Sequence, residues 1–297
     1  MTIMSNTILT PQIIAKEALM VLRNNAVMAN LVHRDFSDEF VAGVGDTITV
    51  KKPASFEAKE FNGSIQVQDA TESGVTVKMD KLLDVSFAVT SKEMTLDIAD
   101  FSEQLLVPAM QAFADKIDKY IIGLESDITN RVTMDGTSPI QDIMIDARKY
   151  LTDAAAPLTD RRFVYGSQVE SDLLKTNLFI SAEKVGDEGT ALREASLGRK
   201  FGLDCYVDQN IEEVTEGGSS YTPSIVFHKN AFAFVTRPLA LPNGAADAAI
   251  VNYDGFGLRV VYGYNQNTKT DTISIDMLCG VKTLDKNLAA VISDERA

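Results

Sequence analysis

Between positions 43 and 97 the apolar residues alternate with polar ones. Ile48 and Val50 precede Pro53, short runs follow at 64–67 and 75–79, and Leu83, Val85, Phe87 and Val89 close the stretch. A period of two predicts antiparallel strands drawn out into a long ribbon. The middle of that ribbon, residues 55–71, is rich in Lys, Glu, Asn and Gln and holds few side chains able to bury one another. Such a ribbon is marginal alone and needs a partner surface. The chain is therefore restricted to folds in which an extended element rests on something else.

Helical periods flank the ribbon. Residues 1–9 read as an arm without a clear period. Thr10 can cap a helix that places Pro11 at its first position, where a missing N–H costs nothing, and Ile14, Ala18, Val21, Leu22, Met28 and Leu31 follow at near-helical spacing. The apolar face of this helix packs either on its own domain or against a neighbouring subunit. After the ribbon, Asp100 and Glu103 stand as a capping box, and Phe101, Leu105, Ala109, Phe113, Ile117, Tyr120, Leu124 and Ile128 recur at steps of three and four. They predict a helix of about 30 residues, which Pro108 should bend or start late.

The remainder mixes short elements. Helices are predicted from 138 to 153 and over 168–175, an irregular glycine-bearing stretch over 183–202, and a turn at 215–220. Strands are predicted at 162–165, 203–207, 224–228, 258–264, 270–277 and 280–284, and 232–236 reads as a further strand or a short helix. This order describes an α+β protein without internal repeats. A length of 297 residues fits one large domain or two smaller ones.

Composition narrows the function. With 42 acidic and 28 basic residues the chain carries a formal charge of −14, which argues against a main task of neutralising a nucleic-acid backbone. Cys205 and Cys279 are the only thiols, too few and too distant for a disulfide scaffold or a thiolate zinc cluster, so a reducing compartment is expected. No segment approaches the roughly 20 apolar residues that span a bilayer, and no signal peptide is read at the start; a soluble protein without membrane contact is expected. His33 and His228 have no companion ligand at metal spacing, and Gly186, Gly189, Gly198 and Gly202 lack the strand–turn–helix setting of a phosphate loop. Cys205, inside a strand, reads as an inert thiol. No metal, cofactor or catalytic residue is predicted. Extended elements without chemistry imply an assembly component, because the ordering entropy of an arm, a ribbon and a long helix is most easily offset by contacts with other chains.

Several phrases run in order along the chain: TPQIIAKEALMVLRNN at 10–25, KEFNG at 59–63, VQDAT at 67–71, DVSFAVTSKE at 84–93, DFSEQ at 100–104, FHK at 227–229, VTRPLALP at 235–242, and the stretch 262–284 ending in GVKTL. Taken with the order of elements, they resemble the major capsid proteins of tailed bacteriophages, closest to the coat-protein group of the short-tailed Salmonella phage. The resemblance implies the Johnson fold, shared with encapsulins and the floor of herpesvirus shells. It divides the chain into an N-terminal arm and helix (1–40), an extended loop with flanking strands (41–96), the spine helix of a peripheral domain (97–138), an axial domain (139–250), and closing strands of the peripheral domain (251–297). The Salmonella phage protein carries an inserted domain in its axial region; here residues 210–221 offer only a small turn, and that domain is expected to be missing.

The resemblance also implies a function and partners. Many copies would assemble as pentamers and hexamers into an icosahedral shell around double-stranded DNA, in the host cytoplasm, with a scaffolding protein, a portal and a decoration protein as partners. DNA would be held without sequence-specific binding, and the inner surface is expected to lack a continuous basic layer. Lys51, Lys52, Lys59 and Asn287 are available for a crosslink of the kind some relatives make, but no motif singles them out, and an uncrosslinked shell is expected. Ile14, Leu22, Lys59, Phe61, Arg193, Arg199, Lys200 and Arg237 are the candidate inter-subunit contacts. Competing readings are an encapsulin-like shell enclosing cargo and a small-molecule enzyme.

Overall fold

The computed structural model describes residues 11–34, 47–51, 74–90, 102–134, 136–176, 197–216, 218–243, 247–253, 255–265 and 267–295. Helix α1, Pro11–Asn25, begins at the expected proline and buries Ile14, Ala18 and Leu22. The apolar period runs on to Leu31, but the helix does not. The chain breaks at Ala26 and Val27 and resumes as the short α2, Met28–Leu31. Asp118, from the spine helix, fills the break: its carboxylate accepts hydrogen bonds from the N–H of Val27 at 2.8 Å and of Ala29 at 3.1 Å. These donors open a helix and have no partner in a preceding turn.

The spine winds in three ways. Ser102–Leu106 is a π-helix, α3 spans Val107–Ile122, and Gly123–Asp127 finishes as a 3-10 turn. Pro108 sits in the first turn of α3, where its missing N–H is tolerated, so the α-helical part starts late as expected. Ile128, expected inside the helix, is extended instead. The proposed cap at Asp100 lies outside the described residues. One stripe of α3, from Ala109 and Met110 through Phe113, Ala114 and Ile117 to Ile121 and Ile122, is buried.

Strands β1, Thr47–Lys51, and β2, Gly74–Lys78, pair antiparallel and form the base of the ribbon. Its polar middle, 55–71, lies outside the described residues. Strand β3, Lys81–Thr90, belongs elsewhere, which corrects the ribbon reading. It pairs along its whole length with a distant 14-residue strand, Thr270–Thr283, so that Leu83 faces Met277 and Val89 faces Asp271. Alternation identifies a strand but not its partner.

Two further sheets organise the molecule. The first joins β10 (Phe232–Arg237), β11 (Asp247–Tyr253), β12 (Phe256–Asn265) and β13 (Thr270–Thr283) in the order β10-β13-β12-β11, with β3 also on β13. The second contains β4 (Arg131–Met134), β5 (Arg161–Tyr165), β6 (Arg199–Lys200), β7 (Leu203–Val207), β9 (Ser219–His228) and β14 (Ala289–Asp294), in the order β4-β14-β9-β5-β7-β6. Strand β8, Val214–Glu216, hairpins onto β9 where a turn was expected. The two strands expected at 270–277 and 280–284 are one, because Gly280 does not interrupt β13. Its lack of a side chain serves a crossing: a Cβ there would stand 2.2 Å from the carbonyl oxygen of Lys78.

The second sheet is a shared wall between two cores. From one face Val164, Ile225, Phe227, Ala289 and Val291 join α1, α2, α3 and the first sheet. From the other, Phe163, Tyr165, Val226, Ala290 and Ile292 pack under α4 (Ile140–Asp153) and α5 (Ser167–Lys175). Burial on both faces is what an alternating pattern cannot signal, and β14, buried at all six positions, escaped the sequence reading. A third cluster, Val50, Val77 and Met79 against Ala233, Val235 and Leu284, holds the base of the ribbon. Sheet membership crosses the boundary expected at 250: β10 and β11 join β12 and β13, whereas β14 returns to the sheet of β9.

Candidate functional site

Among the described residues, those expected at subunit contacts are not gathered in one place. Ile14 and Leu22 are corrected outright: neither has exposed surface, and both pack in the core shared by α1, α3 and the first sheet, so they have nothing to present to a neighbour. Lys59, Phe61 and Arg193 lie outside the described residues. Arg237 ends β10, half-buried opposite Leu278, in the first sheet. Arg199 and Lys200 form β6, the edge of the second sheet. Arg199 is exposed; its Nη2 donates to the carbonyls of Leu158 at 3.3 Å and Gly202 at 3.5 Å, and its Nε stands 3.7 Å from Asp204.

Those contacts place Arg199 in a larger basic end that the sequence did not reveal. Arg161, at the start of β5, is almost wholly buried. Its guanidinium donates to Pro157 O at 2.8 Å, Thr152 Oγ1 at 3.0 Å and Ala156 O at 2.7 Å, all neutral acceptors. Arg148, on α4, passes within 3.8 Å of the point where a side chain on Gly202 would begin. Its Nε is buried without a hydrogen-bond partner. Burial, then the neighbouring Arg148 charge, hold the Arg161 pKa below its ordinary value. Leu158 and Phe201, 64% and 37% exposed, border the cluster. The backbone here is bent hard: Ala155, Asp160 and Phe201 all have φ near +50°, a region non-glycine residues rarely occupy. The residues come from α4, the loop after it, and the β6–β7 turn, so no local motif announces them.

Buried polar groups elsewhere tie elements together. Glu125 accepts from Arg131 at 3.0 Å and from the Tyr221 hydroxyl at 3.0 Å, joining the end of the spine to β4 and β9. Asp118 is fully buried, and desolvation pushes its pKa up to about 7 against the opposing pull of the Val27, Ala29 and Met28 amides, with the Asp208 charge adding to the rise. The Asp208 carboxylate is also raised, chiefly by burial; one oxygen accepts from Asn210 N at 2.8 Å and the other is buried without a partner.

The groups considered for chemistry are placed as follows. His228 is buried at the end of β9, and its Nδ1 accepts from Asn230 N at 3.2 Å; burial lowers its pKa. His33 bridges to β10 through its backbone, donating to Phe232 O and accepting from Phe234 N. Burial raises the Cys205 thiol to about 11 and the Cys279 thiol to about 12, which keeps both protonated near neutrality. Among the described residues, no group of His, Cys, Asp and Glu is placed to hold a metal ion, and no helix is long and apolar enough to cross a membrane.

No family model matches the chain, and no curated protein does. Solved structures do. A structure from Mycobacterium phage Che8 superposes with a TM-score of 0.68 at 19% identity, over 90% of each chain. The capsid of cyanophage P-SCSP1u gives 0.63 at 12% identity, over 92% of this chain and 89% of that one. A virus-like particle from Pyrococcus furiosus gives 0.54 at 11% identity, over 94% and 97%. At these identities the likeness establishes the fold: the chain has the phage major capsid, or Johnson, architecture.

Proposed function

We propose that the chain is the major capsid protein of a tailed phage, assembling as pentamers and hexamers into an icosahedral shell around double-stranded DNA. The observation that carries this reading is the shared architecture over nine-tenths of the chain. In this reading α3 and the first sheet form the peripheral domain, and the second sheet with α4 and α5 forms the axial domain. The finer affiliation with the coat group of the short-tailed Salmonella phage rests on the sequence phrases alone. Scaffolding, portal and decoration proteins, and assembly in the host cytoplasm, follow from the same resemblance.

A second reading, a shell that encloses cargo, is favoured by the fold shared with the Pyrococcus virus-like particle. Particle contents distinguish the two. Particles recovered from infected cells are expected to contain long double-stranded DNA by nuclease-protection and gel analysis. Particles that instead enclose a single protein species and no genome would replace the phage reading with the compartment reading.

A further inference from the structure

The spine and the second sheet meet at two buried carboxylates. Asp118, on α3, is fully buried, and Asp208, just past the end of β7, is 1% exposed. Residues 208–212, which lead from β7 toward β8, lie along the face of α3 that carries Asp115, Asp118 and Lys119. Asn210 Nδ2 donates to Asp115 Oδ1 at 3.2 Å, and Lys119 pairs with Glu212. Ile211, between them, is half-buried against the core around α3. The Asp208 N–H donates to Tyr165 O at 3.1 Å, which anchors the start of the segment to β5. These contacts strap the second sheet to the spine.

The two carboxylates are held unequally. Asp118 receives the amide donors of the α1–α2 break, whereas Asp208 accepts from Asn210 N on Oδ1 and has no hydrogen-bond partner on its buried Oδ2. The charge of Asp208 acts on Asp118, and that of Asp115 acts on Asp208. The Lys119–Glu212 pair stands on the wetter side of the strap, with the charge of Lys116 also reaching Glu212. The α1–α2 break contributes amides and β5 a carbonyl. Among the described residues no cation is paired with either buried carboxylate. Two ionised carboxylates in such a place repel each other and each forfeit hydration, so the closed arrangement favours a proton on one of them.

We propose that residues 208–212 form an acid-closed latch, seated on the spine while the Asp118–Asp208 pair holds a proton and lifting into water when both carboxylates are ionised. The sign follows from burial: both groups hold their protons more tightly in the fold than in water, so closure is strongest at low pH and weakens as the pH rises through about 7. The latch belongs to the single chain, so its test needs no particles and stands apart from the shell reading. Hydrogen exchange of the unassembled full chain at about pH 6 and about pH 8, corrected for the intrinsic acceleration by base, follows the amides of Asp208 and Asn210. Loss of one proton from a pair titrating near 7 predicts that their protection falls about tenfold between the two conditions, while that of α4 is unchanged. Asp208→Asn keeps an acceptor for Asn210 N but removes one charge of the pair, and the fall is expected to shrink to about threefold or less. Glu212→Gln breaks the exposed ion pair and is expected to lower protection equally at both conditions, leaving the tenfold ratio intact. Equal wild-type protection at the two conditions, or a full tenfold fall retained in Asp208→Asn, would overturn the latch. A fall that disappears in Glu212→Gln would also overturn it, by assigning the pH response to the surface pair.

Discussion

Replacing Gly280 with alanine is expected to destabilise the chain by about 3 kcal/mol or more, at the upper end of the usual cost of overpacking. The added Cβ would lie 2.2 Å from Lys78 O, 2.9 Å from Lys78 C and 3.1 Å from Met79 Cα. All three are backbone atoms, so no side chain can swing aside. Either β13 or the segment joining β2 to β3 must move, and both are pinned: Gly280 faces Val235 across β10, and Met79 is buried beside Val77 and Val235. The crossing fixes where the ribbon leaves the body, so the damage should reach assembly as well as stability. Urea unfolding of the unassembled protein measures the effect, and a midpoint equal to wild type would show that the crossing is looser than described.

Asp118→Ala is expected to cost about 3–5 kcal/mol, because it strips the acceptor from the buried amides of Val27 and Ala29 and leaves a void beside them. The α1–α2 break loses its support, and α1 should become more open to hydrogen exchange than α4. The pH dependence has a definite sign. The carboxyl holds its proton more tightly in the fold, at about 7, than at its ordinary value of 3.8. Its contribution is thus fully present below that ordinary value and is lost as the pH rises through about 7. The size of the loss is on the order of 4 kcal/mol. In Asp118→Asn, which cannot titrate, this component is absent. Wild-type stability measured against that variant should therefore improve as the pH falls from about 8 to about 5. Parallel curves for the two proteins would remove Asp118 as the titrating group.

Elements with a clear apolar side or a compact apolar run were legible in the sequence. Helices α4 and α5 and strand β7 came within a residue or two of their observed bounds, and so did β5, which is buried on both faces but carries the run Phe163, Val164 and Tyr165. Strand β14 did not, since it is buried on both faces and opens on two alanines with no alternation. Partners were less legible than elements: β3 read correctly as a strand, but nothing in its residues selects Thr270–Thr283 over the nearby ribbon. Asp118 left a signal that was passed over, an acid on the buried stripe of α3 between Ala114 and Ile121.

The candidate contacts divide along the same line. Arg199 and Lys200 were visible as charges in an irregular, glycine-bearing stretch and do stand at a sheet edge, next to the basic end. Arg148 and Arg161, which dominate that end, are 13 residues apart in separate elements and become neighbours only through the turn at Gly202 and the hydroxyl of Thr152. Ile14 and Leu22 looked like an offered face because an amphipathic helix reads the same whether its stripe meets its own core or another chain.

The measurement that bears most directly on the shell assignment is a cryo-electron-microscopy reconstruction of the particles formed by the expressed full chain. The expected map is a closed icosahedral shell with copies in rings of five and six, each copy fitted by the two sheets on either side of the shared core, with α3 along its length. A chain that remains a compact monomer or dimer at every concentration, with no closed particles on the grid, would contradict it.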